Sequence, residues 1–244
     1  VGHSSPPGRW LGNFSHQGRY PGAAQRLPPR QAAARLKFLG SIMARYTGPR
    51  LRISRRFGEP IFGPSKYLDR KNYGPGMHGM TRRRKKTDYA LALMEKQKLR
   101  YYYGLMEKQF RGVYEKALRQ RGVTGEVMLQ ILETRLDSVV YSLGLAYTRA
   151  AARQMIVHGH VLVNGRRVRT PSYACRAEDT LEIRDSNKSR LLATRNLEIS
   201  TSRAVPDWLV LNKDAIKGSV NRLPTREDLQ PIANEQTIVE FYSR

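Results

Sequence analysis

The residues of this chain best equipped for chemistry are its arginines. Arg149 and Arg153 lie one helical turn apart, Arg166 and Arg167 follow an Asn164-Gly165 pair, and Arg82, Arg83, Arg84, Lys85 and Lys86 form an unbroken run of cations. A guanidinium is permanently charged and presents a fork of donors that matches a phosphate bidentately. Arg45, Arg50, Arg52, Arg55 and Arg56 form a second crowd, and Lys96, Lys98, Arg100, Lys108 and Arg111 a third, with Arg135 beyond them. Gln154, His158 and Asn164 stand among these cations, suited to hydrogen bonds with sugars or base edges. The chemistry this pattern points to is binding of nucleic acid, in which phosphate contacts supply affinity and register.

Catalytic chemistry finds no such support. Glu95 and Glu107 have lysines at neighbouring positions, and with Glu115 they read as members of surface ion pairs. No glycine-rich loop leads into Lys-Ser or Lys-Thr, and no Ser, Cys or Asp stands in a nucleophile setting. His78 has no Cys or second His near it, so a metal is not expected there. The single Cys175 excludes an intramolecular disulfide and a multi-cysteine zinc site.

Composition agrees with a polyanionic partner. The chain has 244 residues, 44 Lys+Arg against 20 Asp+Glu, a formal net charge of +24 and a pI near 10.7. Nucleic acid fits that excess better than a membrane, and no run approaches the roughly 18 apolar residues of a spanning helix. Residues 1–42 carry +6 with no acid, residues 193–244 hold seven charges of each sign, and the remaining +18 falls in residues 43–192. An RNA-facing body with a neutral tail that must do something else is the expectation.

The elements that must position these cations can be read from periodicity. Met128, Leu132, Leu136, Val139 and Leu143 recur at helical spacing, predicting one helix closed by Gly144. Thr148 can cap a second helix with Arg149 and Arg153 on its exposed side, ended by His158-Gly159. Val161 and Val163 then alternate into Asn164-Gly165, a pair suited to a type I′ hairpin. Upstream, Thr87 or Asp88 can start a helix through Leu91, Met94 and Leu99, and a second follows a break near Gly104. Tyr101, Tyr102 and Tyr103 cannot share one face, so one is expected outward; packing of the other two is favoured over base stacking. Downstream, Trp208-Leu-Val-Leu and the final Thr237-Ile-Val-Glu-Phe-Tyr read as strands.

The stretch from Leu132 to Arg184 resembles the S4 RNA-binding domain, a module shared with pseudouridine synthases and tyrosyl-tRNA synthetases. The flanks are more specific. Met43-Ala-Arg-Tyr-Thr-Gly-Pro-Arg, Tyr73-Gly-Pro-Gly-Met-His-Gly, Glu95-Lys-Gln-Lys-Leu-Arg, Glu107-Lys-Gln-Phe-Arg and Ile238-Val-Glu-Phe-Tyr-Ser-Arg resemble the bacterial-type S4 family of small-subunit ribosomal proteins, over Met43 to Arg244. Where many members hold zinc with cysteines, this chain carries Leu51 and Ser54, so the resemblance implies a zinc-free form without cofactor. The Arg135-Leu136-Asp137 string superficially resembles a pseudouridine synthase motif, but no catalytic domain follows it.

The resemblance implies a mainly α fold with a small β component (α+β): a helical lobe with an inserted helix-helix-hairpin module. The expected domains are 43–132 for the basic segment and lobe, 133–196 for the S4 domain, and 197–244 for a segment packing back on the lobe. It implies a non-enzymatic constituent of the 30S subunit that binds 16S rRNA early and nucleates folding of the body. Ribosomal protein S5, through which decoding accuracy is influenced, other 30S proteins, and mRNA where it enters its tunnel are the implied partners. Some members also repress their own operon. No membrane and no homo-oligomer are expected, and the location is the cytoplasmic ribosome, or an organelle ribosome if residues 1–42 are a transit peptide. Those residues, rich in Pro, Gly and Ser, are expected to be disordered. They read as a mis-called start ahead of Met43, a basic arm that touches RNA, or that transit peptide, with a short helix over Gln31 to Leu39.

Overall fold

The computed structural model describes residues 46–63, 65–81, 85–201, 203–229 and 232–243. The expectations for residues 1–42 therefore lie outside the described residues, as do Arg45, Arg82, Arg83 and Arg84. In chain order the helices are α1 (Arg50–Phe57), α2 (Lys66–Arg70), α3 (Asp88–Tyr102), α4 (Glu107–Leu118), α5 (Thr124–Glu133), α6 (Leu136–Ser142) and α7 (Arg149–His158). Strands β1 (Val161–Val163), β2 (Arg166–Arg167) and β3 (Thr180–Ile183) follow, then α8 (Asn187–Ile199), β4 (Leu209–Asn212), β5 (Lys217–Val220) and α9 (Glu235–Ser243). The architecture is α+β: helices dominate, with one antiparallel sheet in the order β2-β1-β3-β5-β4.

Two hydrophobic cores hold the described residues together. The first gathers Leu99, Leu105, Phe110, Val113, Met128, Leu129 and Leu132 from α3, α4, α5 and the link between α3 and α4, and α9 closes it with Ile238. The second puts Leu136, Val139 and Val140 of α6, Leu143 just after it and Ile156 of α7 against Val161, Leu181 and Val220 of the sheet and Trp208 just ahead of β4. Gly218 on β5 lets α6 sit close: a Cβ there would lie 2.6 Å from Leu143 Cδ1.

Two expectations are corrected. The helix expected from Met128 to Leu143 is two helices, because Thr134 and Arg135 leave it to pair with the loop after β2. Arg135 bridges Ala174, Cys175 N–H donates to the Thr134 carbonyl, and Leu136 N–H to that of Tyr173. The apolar period continues across the break because both halves face cores. The last segment is a helix, not a strand. Its β-branched Thr237-Ile238-Val239 suggested a strand, yet Asn234 Oδ1 accepts from the Gln236 and Thr237 amides, starting a helix. Ile238 and Tyr242, one turn apart, then face the first core, and Tyr242 stacks on Tyr114 at 4.7 Å.

Candidate RNA interface

The first cations are set by α1. Gly58 ends it at φ 78°, a left-handed cap. Arg50, Arg52 and Arg56 are exposed along it. Arg55 turns inward instead: its Nε and Nη2 donate to the Tyr73 and Gly74 carbonyls at 3.1 and 3.0 Å, and its guanidinium lies 4.8 Å from the Tyr73 ring. Arg55 thus fastens the glycine-rich loop onto α1, and exposed Arg56, His78 and Lys86 line a shallow cup beside that loop.

Thr87 caps α3 through the Ala90 amide, and Lys85 and Lys86 just ahead of the cap are exposed. Farther along the helix the cations change role. Lys96 and Arg100 are buried at 5% and 8% exposure. Both pair with Glu107 at the start of α4, which also accepts from Tyr242 of α9. Burial raises the Glu107 pKa, but hydrogen bonds from Lys96 and Tyr242 and the charges of Lys96 and Arg100 outweigh it, so the net shift is downward. Lys98 bonds Glu59 at 2.7 Å.

Between α5, α6 and α7 lies a polar cluster that periodicity did not anticipate. Arg135 grips Asp137 with two bonds, at 3.1 and 2.8 Å, the Ser138 amide donates to the same carboxylate, and Arg153 Nη1 lies 3.6 Å from its Oδ2. With both oxygens engaged inside the fold, Asp137 is no nucleophile. Arg149 forms a 3.2 Å pair with Glu133, and its guanidinium sits 4.0, 4.7 and 4.5 Å from the rings of Tyr102, Tyr103 and Tyr141. Burial opposes the Arg149 cation, but Glu133 and the tyrosines overcome it and raise its pKa. Tyr103 also donates to Glu133 at 2.6 Å; burial first and the Glu133 charge second push its pKa well up. Arg149 Nε is buried without a hydrogen-bond acceptor, and the tyrosine rings around it supply negative π faces instead.

The hairpin forms as its turn residues require. Asn164 and Gly165 take φ 50° and 74°, both positive, and Val163 pairs with Arg166 across the two-residue loop. The Asn164 side chain is consumed in this: Nδ2 donates to Asp179 at 2.8 Å and Oδ1 accepts from Thr180 N–H and Oγ1. Arg166 is exposed on the edge strand β2. Arg167, also exposed, donates to the His158 and Gly159 carbonyls that end α7. Burial, then the charges of His158, Arg167 and Arg184, lower the His160 pKa, a sign of how closely cations crowd here.

The expected contact residues therefore divide. Arg50, Arg52, Arg56, Lys85, Lys86, Arg111, Gln154, His158, Arg166 and Arg167 face outward. Lys96, Arg100, Arg135 and Arg149 do not: each is buried or nearly so, and each holds an acid. Arg149 in particular is not on the exposed side of its helix. Arg55, Lys98 and Asn164 serve internal bonds, and Arg111 pairs with Glu115 one turn on. Of the three tyrosines, Tyr103 is buried and Tyr101 and Tyr102 are half-buried, so packing takes all three. Sequence reasoning missed exposed Arg169 and Arg184, whose charges both act on Arg167. Their only sequence signal was continuation of the basic hairpin.

Residues 45–133 match the ribosomal protein S4/S9 N-terminal domain family, and residues 134–181 match the S4 domain family. The chain belongs to the ribosomal protein S4 family. It is 58% identical over 202 residues to small ribosomal subunit protein uS4 of Opitutus terrae, covering 83% of this chain and all of that protein. The same protein of Akkermansia muciniphila is 51% identical over 203 residues and that of Thermus thermophilus 47% over 209, each again covering 83% of this chain and all of the relative. The two family matches meet between Glu133 and Thr134, where α5 ends and the chain turns out to pair with the loop. The S4 family is a structural ribosomal family, and the engaged carboxylates Glu107, Glu133 and Asp137 agree with that. Among the described residues no group of three His, Cys, Asp or Glu is placed to hold a metal, and no helix is long and apolar enough to cross a membrane.

Proposed function

We propose that this chain is a structural constituent of the small ribosomal subunit and binds 16S rRNA directly through its outward cations. The observation that carries the proposal is the division of the cations themselves. Lys96, Arg100, Arg135 and Arg149 are matched to acids inside the fold, while Arg50, Arg52, Arg56, Lys85, Lys86 and Arg166 are exposed and form no ion pair among the described residues. A formal excess of +24 over the whole chain suits the phosphates of a folded RNA. One jaw of the grip is α1 with the start of α3, and the other is α7 with the hairpin. Early binding, directly to rRNA, is what the resemblance to the family implies.

The finer roles rest on charge and exposure. Residues 193–244 are neutral in sum and carry exposed Val210 and Leu223, which suits a protein surface such as that of ribosomal protein S5 and thereby an influence on accuracy. Lys85 and Lys86 suit the mRNA path. The chain acts as a monomer within the subunit. Filter binding to a minimal 16S rRNA fragment tests the main reading. Nanomolar, strongly salt-dependent binding that exceeds binding to an unrelated structured RNA supports it, and equal affinity for both RNAs overturns it.

A further inference from the structure

Beyond phosphate binding, a cleft between the N-terminal segment and α7 has the shape and chemistry of a base pocket. Tyr46, Phe62 and Tyr101 form one wall, Tyr141 part of the other, and Arg50 and Arg153 line it as well. Tyr101 meets Tyr46 at 5.2 Å and Phe62 at 6.2 Å, both edge to face, and the guanidiniums of Arg50 and Arg100 lie over the Phe62 and Tyr101 rings at 5.9 and 4.2 Å. The volume is about 70 Å³, roughly half of a cavity that holds a benzene ring, so a base enters edge-first and only in part, and a helix or a peptide strand does not fit. Asp137 is the acid of the cleft, and Arg135 and Arg153 already neutralise it, so the field inside is positive. Arg50 is exposed at the aromatic side, where a phosphate flanking an inserted base would lie.

We propose that this cleft receives a single unstacked nucleotide of the bound RNA, its base against Tyr46 and Phe62 and its flanking phosphate toward Arg50. The proposal rests on the rRNA-binding reading above and adds to it a base-specific element that phosphate contacts lack. Single-stranded and bulged bases are read by aromatic stacking of this kind, whereas paired RNA is read by its backbone. An apolar peptide is a poorer occupant, because the cations of the cleft would be left desolvated without a counter-charge.

The test uses the full chain bound to 16S rRNA and irradiated at 254 nm, with the crosslinked peptides identified by mass spectrometry. The expected result is a nucleotide adduct on Tyr46, Phe62 or Tyr101. Tyr46→Leu should weaken binding about tenfold and leave its salt dependence unchanged, because a stacked base and not a phosphate is lost. Tyr46→Phe should bind as the parent does. A complex of full affinity whose adducts all lie outside the cleft, or a folded Tyr46→Leu that binds unchanged, overturns the pocket and leaves rRNA binding standing. Should Tyr46→Leu fail to fold, the adduct map of the parent chain decides alone. No complex with 16S rRNA at all would instead overturn the underlying reading.

Discussion

Arg149 and Glu133 stand sixteen residues apart and meet at 3.2 Å, both largely buried. Glu133 is the last residue of the N-terminal family match, and Arg149 lies in the S4 domain match. Tyr102 and Tyr103 from α3 and Tyr141 from α6 close around the same guanidinium. An arginine of the RNA-binding module is thus spent on joining that module to the helical lobe. Buried pairs add little net stability against apolar alternatives, but they fix geometry, and losing one partner is costly.

Arg149→Ala should therefore act on stability. It leaves Glu133 buried with only the Tyr103 hydroxyl, at a cost of about 3 kcal/mol. Arg149→Lys keeps the charge but loses the flat cation that three rings enclose, so it should recover only part of that. Urea denaturation reads both, and the salt dependence of RNA binding should not change in whichever variant folds.

Asn164→Ala should destabilise the hairpin by about 1–2 kcal/mol. It places an alanine at positive φ and strips the bonds to Asp179 and Thr180. Asn164→Gly, which relieves the backbone but not the lost bonds, should fall between the two in a thermal melt.

Glu107 supplies a pH dependence whose sign is fixed. Its folded pKa lies below the ordinary 4.5, so its stabilising effect is present above the unfolded value and is lost as pH falls through the folded one. Because the side chain is half-exposed, screening limits the effect to the order of 1 kcal/mol. Glu107→Gln should lower the urea midpoint at pH 7, and the difference should shrink as the pH is taken below 4.5.

Local signals carried much of the fold. Thr148 and Thr87 cap the helices they were expected to cap, Gly159 ends α7, and Asn164-Gly165 makes the turn, because each depends on neighbours within a few residues. The break at Thr134 and Arg135 was hidden, since it is made by Tyr173 and Cys175, far along the chain. The last helix was hidden by its β-branched residues, which its packing on Tyr114 overrides. The site was legible as a composition but not as a surface. Lys96, Arg100, Arg135 and Arg149 look in sequence like any other basic residues, and only the positions of Glu107, Asp137 and Glu133 reveal them as internal.

In the proposed division of labour the outward cations bind rRNA while the inward ones hold the fold. This division is tested most directly by Arg50→Ala, Arg52→Ala and Arg56→Ala combined in one chain. The measurement is the slope of log affinity for a 16S rRNA fragment against log salt. The slope should fall by about 2 to 3, for up to three lost phosphate contacts, with the melting temperature nearly unchanged. An unchanged slope, with the variant folded as before, would contradict it.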